Sequence, residues 1–326
     1  MSRQYVNQLQ DQQEVDEVYL ASGKQLRPNR AGTLYLQVEL TDRTGTLTAR
    51  LWNAGEAVYK SFGNGEYINV RGTAQLFQGA MQIIAKKITP VDGSSVDPDD
   101  FAQVVSGDID RLVSRIREIV RSMKNPHLQM LADCFLADDA FMARFTQAPA
   151  GVKHHHAYRG GLLEHTVTVM DIAQKIAPLY PKVDRDLLLA GAMLHDIGKT
   201  DELGYVGEME YTDAGQLLGH VMLAVLMLDQ KVREAADAFG EPFPEETLLR
   251  LRHMIVSHHG QYEFGSPRLP MTLEAIMLHF LDSLDSKVNA FESLIDTDPN
   301  TDSSWTHYHA SLGRKLFKGG PAAEAS

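Results

Sequence analysis

His195 and Asp196 stand side by side in the string His195-Asp196-Ile197-Gly198-Lys199, so one short stretch offers both an imidazole nitrogen and a carboxylate oxygen. Divalent manganese, iron, cobalt and zinc accept that mixture, and two such ions about 3.5–4 Å apart can share one carboxylate in the hydrolysis of a phosphate ester. The pair gains weight from its company: His165 lies upstream, and His220, His258-His259 and Asp282 follow downstream, each inside an apolar, helix-patterned segment. Such a set, arriving in order on separate helices, points to a metal centre rather than to coincidence. The single cysteine, Cys134, excludes an intrachain disulfide and a thiolate cage, so histidine and carboxylate must do the holding.

Each position also has an ordinary reading. A lone histidine in an apolar helix is usually a hydrogen-bonded core residue, and His127, His253, His307 and His309 are assigned to that class. Asp282 resists it, because it ends the run Ile276-Met277-Leu278-His279-Phe280-Leu281 and an ionised carboxylate buried there without a partner is costly. A cation is the economical partner. Asp196 is the natural bridge between two ions, and Lys199, one turn beyond His195, is placed to face phosphate. Two choices stay open, His258 against His259 and Asp282 against Asp285; His258 and Asp282 are preferred, with His259 an adjacent ligand or a support for one. Before His165, the run His154-His155-His156 with Arg159 offers a grip for a phosphate, although a polar loop capping the next helix explains it nearly as well.

These side chains need rigid carriers. From Phe101 onward the apolar residues follow the helical period, first as Ile109, Leu112, Val113, Ile116, Ile119 and Val120, then in helices expected near 126–147, 160–177, 184–198, 214–238, 245–259 and 271–294. Leu187 to Leu194 is almost continuously apolar, and Gly198 is expected to stop that helix. Upstream the period is two, as in Leu34, Leu36, Val38 and Leu40, which is the mark of half-buried strands. Five strands near 17–27, 32–41, 46–53, 66–76 and 81–89, with a short helix near 55–62 between the third and fourth, follow the order of an OB-fold barrel. The expected architecture is therefore multi-domain: a small all-β OB-fold domain over 1–92, a polar linker over 93–100, a larger all-α domain over 101–318 and a frayed tail over 319–326.

Opposite the barrel core the alternation places Tyr35, Arg50 and Trp52, with Arg71 on the fourth strand and Phe77 at a hairpin tip. Aromatic rings and cations on an OB-fold surface suit the stacked bases and phosphates of a single strand, although tyrosine and tryptophan are also common strand residues. The net charge of −12 over 326 residues argues against a protein that coats nucleic acid through its overall field, so any such contact is local. No apolar run reaches the roughly 18–20 residues of a membrane span. The polar opening is neither a signal nor a transit segment, so the expectation is a cytoplasmic protein with no membrane partner.

The strings KHHHAYRGGLLEHT, LLLAGAMLHDIGKT, YTDAGQLLGH and IVSHHGQYEFGSP resemble the two-metal branch of the HD-domain phosphohydrolases, and within it the YhaM group of 3′-to-5′ exoribonucleases. The similarity runs from the barrel through Trp305 to Lys318. It implies an OB-fold joined to an HD domain, and an enzyme that removes nucleotides from the 3′ end of single-stranded RNA and, in some members, DNA. It also implies two divalent ions, manganese first among manganese, cobalt, iron and zinc. By the same resemblance His165, His195, Asp196 and Asp282 hold one ion, while Asp196, His220 and His258 or His259 hold the other. Lys199 then clamps a phosphate oxygen, and Ser257 with residues 261–265 lines the entrance. Two other readings compete: a nucleotide or cyclic-dinucleotide hydrolase with a regulatory barrel, and a nucleic-acid-binding protein with a structural metal site. A homo-oligomer is compatible with all three.

Overall fold

In the computed structural model the described residues are 3–29, 32–77, 80–97, 100–101, 109–151, 158–204, 210–296, 298, 300, 303–309 and 312–319. The chain divides into two compact units, Met1–Val104 with Phe291–Ser326, and Val105–Ala290.

The first unit holds strands β1 (Glu14–Pro28), β2 (Leu34–Asp42), β3 (Gly45–Trp52), β4 (Tyr67–Phe77) and β5 (Ala80–Pro90), with helix α1 (Glu56–Lys60) between β3 and β4. They close into a barrel in the order β1-β2-β3-β5-β4, the OB-fold expected from the strand order. The two-residue period does the sorting: Leu36, Val38, Leu40, Leu47, Ala49, Ile68, Val70 and Ile83 fill the interior. Closure needs one glycine. At the register shift between Arg71 and Gly72, a Cβ on Gly72 would lie 2.4 Å from the Ile84 carbonyl oxygen, so only glycine lets β4 approach β5.

The second unit is helical: α2 (Ile109–Arg121), α3 (Pro126–Leu136), α4 (Asp139–Phe145), α5 (Gly161–Ile176), α6 (Arg185–Leu194), α7 (Lys199–Glu202), α8 (Asp213–Phe239), α9 (Glu245–Ser257) and α10 (Leu273–Asp296), which runs a few residues past the unit boundary. Helix α6 is its centre. Every residue from Asp186 to Leu194 is buried, and the Asp184 carboxylate accepts the Asp186 and Leu187 N–H groups to start the helix.

Three expected helices differ in detail. The one expected over 126–147 divides because the Asp138 side chain accepts the Phe141 N–H and so begins α4 afresh. The one over 184–198 ends at Leu194, and residues 195–198 form turns leading into α7. Helix α8 is kinked at Gly219, whose φ of 70° and ψ of 158° interrupt the ladder. The unit division also departs from the 101–318 boundary. Helical periodicity ends with α10 at Asp296, and the residues beyond it pair through the isolated bridges Trp305–Phe317 and His309–Arg314.

Candidate metal centre

The residues singled out in the helical half converge. His165 comes from α5, His195 caps α6, Asp196 follows in the turn, His220 lies just past the α8 kink, His258 and His259 follow α9, and Asp282 projects from α10. His165, His195 and Asp282 form one group of donor atoms within 4.8 Å of one another, and His220, His258 and His259 form a second. Asp196 stands between them. Its Oδ2 lies 3.5 Å from His195 Nε2 and 3.8 Å from His165 Nε2, while its Oδ1 lies 3.5 Å from His258 Nε2 and 3.6 Å from His220 Nε2. One carboxylate oxygen thus faces each group.

The hydrogen bonds set the ring orientations. His195 Nδ1 donates to the Ala192 carbonyl at 2.9 Å and His258 Nδ1 to the Ile255 carbonyl at 2.6 Å. His165 Nδ1 meets Asp285 at 2.6 Å, and His220 Nδ1 meets Glu202 at 3.1 Å. With the proton on Nδ1, each ring turns an Nε2 lone pair inward. The inward nitrogens crowd one another: His165 and His195 Nε2 are 3.2 Å apart, as are His220 and His259 Nε2. Among the described residues, Asp196 Oδ1, His258 Nε2 and His259 Nδ1 are buried with no hydrogen-bond partner. Crowded inward nitrogens and buried polar atoms without partners fit a cation, since a neutral core would leave them uncompensated.

The charge states agree. Burial holds His195 and His258 below the ordinary imidazole range, and burial with the neighbouring His258 and His220 pushes His259 down to about 4. Burial opposes the Asp196 charge, yet Lys199 and His195 keep it well below the usual carboxylate range. Burial likewise opposes Asp282, and the hydrogen bond from His165 holds it ionised. His165 is the exception: Asp282 and Asp285 outweigh its burial and raise it to about 9. That proton and a metal ion compete for the same Nε2. Ionised Asp196 and Asp282 beside neutral His195, His258 and His259 are a donor set suited to divalent first-row metals.

Two glycines explain why the sequence folds this way locally. The Gly219 kink frees the His220 N–H from the helical ladder, and it donates to Glu202 Oε1 at 2.9 Å, the same oxygen that holds His220 Nδ1. Gly198 does not act as a left-handed stop: its φ is −63° and it leads into α7. Its role is close approach, because a Cβ there would lie 2.0 Å from the His220 carbonyl oxygen.

The two aspartates differ in position. Asp282 Oδ1 lies 3.3 Å from His165 Nε2 and faces the cluster, whereas Asp285 orients the same ring from Nδ1. Both His258 and His259 reach the second group. Lys199 Nζ sits 2.6 Å from Asp196 Oδ2, at the edge of the cluster; burial works against its charge, but Asp196 raises its pKa above the ordinary value. The sequence pattern does not single out Glu202. An acidic residue one turn beyond Lys199 is the only signal in the sequence, and nothing local ties it to His220. His279, whose Nδ1 donates to the His258 carbonyl at 2.8 Å, was missed for the same reason. Replacing Glu202 by alanine is expected to lower metal affinity and kcat/KM together by about 10–100-fold, with Glu202→Gln recovering part because its amide oxygen accepts the same two bonds. Titrating the metal into both variants checks this; equal losses in alanine and glutamine would remove the orienting role.

Other expected site residues are more scattered. His155 and His156 lie outside the described residues, and Arg159 is exposed, two residues before α5 begins. Ser257 cannot line an entrance, since it is buried and its hydroxyl donates to the His253 carbonyl at 2.6 Å. On the barrel, Tyr35 and Trp52 face each other across β2 and β3 with ring centroids 4.9 Å apart, and Trp52 is 46% exposed. Arg50, beside them on β3, bonds Gln82. Phe77 is exposed at the end of β4. Arg71 pairs with Asp16 at 2.9 Å on the β1–β4 side, whereas Tyr35 registers with Arg27 near the far end of β1, so Arg71 does not join that face.

The HD domain family matches residues 162–287, the span that carries His165 through Asp282, and an OB-fold nucleic acid binding domain matches residues 14–91. Fold and site together define an HD-domain hydrolase with an N-terminal OB-fold, and the HD domain carries dependence on a divalent metal. The protein named 3′-5′ exoribonuclease YhaM from Bacillus subtilis (strain 168) is 34% identical over 287 residues, 87% of this chain and 88% of that one. Its namesake from Bacillus velezensis is 34% identical over 279 residues, covering 85% and 86%. The chain belongs to the YhaM family of 3′–5′ exoribonucleases, hydrolases of phosphodiester bonds. Among the described residues no helix is long and apolar enough to cross a membrane.

Proposed function

We propose that this chain is a cytoplasmic 3′–5′ exonuclease that releases nucleoside 5′-monophosphates from single-stranded RNA by two-metal hydrolysis. Single-stranded DNA is a second substrate, since the Tyr35–Trp52 rings offer faces on which any base can stack. The observation that carries the reading is the Asp196 carboxylate with one oxygen toward each histidine group. His165, His195 and Asp282 would hold one ion and His220, His258 and His259 the other, with Asp196 between; manganese is the first choice. Bound divalent ions supply Lewis acidity, lowering the pKa of water and neutralising charge on phosphoryl oxygens.

The chain's own groups do the rest. Asp285, Glu202 and the Ala192 and Ile255 carbonyls orient the imidazoles. Lys199 adds a fixed positive charge at the edge of the cluster, suited to the negative charge that builds during hydrolysis. The burial of His195, Asp196 and His258 favours a substrate that enters end first, since a strand's middle would have to desolvate on both sides. The Tyr35–Trp52 pair suits sequence-tolerant stacking of bases. The 3′ polarity rests on the relatives. With Mn²⁺ the purified protein is expected to shorten a 5′-labelled oligoribonucleotide stepwise. A strand left intact with each of manganese, cobalt, iron, zinc and magnesium would overturn the proposal.

A further inference from the structure

From Ser303 to Gly319 the chain carries Trp305, Tyr308 and Phe317 with Arg314, Lys315 and Lys318 and no acidic residue, inside a protein whose net charge is −12. The described residues 303–309 and 312–319 form an irregular antiparallel hairpin. The Thr306 N–H donates to the Leu316 carbonyl at 2.8 Å, and the Leu316 N–H donates to Thr306 Oγ1 at 2.9 Å. Thr306 and Leu316 point inward and are buried, so the neighbouring positions on both strands point out. Trp305 and Phe317 stand directly opposite each other with ring centroids 5.0 Å apart, 48% and 58% exposed, and Tyr308 is 62% exposed.

The hairpin is built to hold these rings still. Asp298, whose side chain is 1% exposed, accepts the His307 N–H at 2.9 Å and the Asn300 N–H at 3.1 Å, and pairs with Lys318 Nζ at 3.0 Å. Lys318 is thereby spent on structure. Arg314 lies over the Phe291 ring, 5.3 Å from its centroid, and Lys315 is exposed.

Half-exposed rings return little of the free energy that burial would give, and three of them beside cations do nothing for the fold that smaller side chains could not. What they present is flat π-surface next to positive charge, the chemistry that takes unpaired bases and their phosphates. A second copy of the same patch is a poor occupant, because a two-fold contact would set its cations against each other. We propose that this hairpin is a second stacking platform for single-stranded nucleic acid, distinct from the Tyr35–Trp52 face of the barrel. The inference rests on the single-strand reading above and adds a surface to it.

The chain has two tryptophans, so Trp52→Phe leaves Trp305 as the sole reporter. A fluorescein-labelled phosphorothioate oligouridylate, which resists hydrolysis, reports binding through its anisotropy while the Trp305 emission is followed in the same titration. The expected result is quenching of Trp305 that saturates together with the anisotropy. Trp305→Ala should weaken binding by about tenfold, while Trp305→Phe, which keeps a ring, should hold it near the parent value. Replacing Arg314 and Lys315 together by alanine should make the salt dependence of log K shallower by roughly one unit. Anisotropy that rises with Trp305 emission unchanged, and with Trp305→Ala binding as tightly as the parent, overturns the platform and leaves the single-strand reading standing. Emission that changes with protein concentration instead of with strand marks a contact between copies and also overturns it. Anisotropy that never rises even with the parent protein, Trp52 in place, defeats the single-strand reading itself.

Discussion

Replacing Asp196 by alanine is expected to lower the rate of strand shortening by about 10³-fold or more, and to strip metal from the protein at the same time. Asp196 is the residue whose two oxygens face both histidine groups, 3.5 Å from His195 on one side and 3.5 Å from His258 on the other. Without it the His220, His258 and His259 group has no anionic donor, and neutral imidazoles alone compensate a divalent charge poorly. The first group keeps Asp282 and should retain more of its affinity. Lys199 also loses the carboxylate that holds it charged against burial. Asp196→Asn separates charge from shape, because it fills the same volume and should fail nearly as badly. Single-turnover decay of a labelled strand, elemental analysis and a thermal melt on each variant make the test. Near-parental rates with metal retained in either variant would dismiss the bridging role.

Gly198→Ala is the second large effect, and helix propensity alone gives the opposite sign. Gly198 has φ −63° and ψ −18°, a conformation any residue adopts, so alanine carries no backbone strain there and should even favour the helix. The obstacle is contact. A Cβ would lie 2.0 Å from the His220 carbonyl oxygen and 2.7 Å from the Ala224 nitrogen, and both are backbone atoms that cannot swing aside. Helix α8 must then retreat, taking His220 with it. A loss of about 1–3 kcal/mol in stability is expected from overpacking, with a fall of about 10²-fold in kcat from a ligand displaced by about 1 Å. Unfolding curves and steady-state kinetics together decide it. A variant as active as the parent and more stable would show that propensity, not close packing, governs this glycine.

These two residues mark how far the sequence could be read. The barrel was legible because alternation over β2 and β3 sorts side chains directly, and turn residues punctuate each strand. The histidine and aspartate set was legible because each member sits in its own apolar segment, where an unpaired charge demands an explanation. Helix ends were less so. The break at Asp138 and the end of α6 at Leu194 depend on single capping and turn geometries that periodicity averages away. Gly198 looked like a helix stop because glycine commonly is one; its neighbour across space, α8, is absent from any local window.

The amino-acid sequence by itself determined the order of the two folds, the carriers of the candidate ligands and the chemistry those ligand types allow, since each of these follows from local period, apolar context and donor type. The tertiary structure alone decided which groups orient the ligands and which oxygen faces which histidine. Glu202 reaches the His220 ring and its backbone N–H only because α8 kinks at Gly219, and Asp285 rather than Asp282 meets His165 Nδ1 only because the packed fold brings that position of α10 to the ring. Such contacts join residues 18 and 120 positions apart. They are settled by how helices pack, and packing is a property of the whole core rather than of any segment of it.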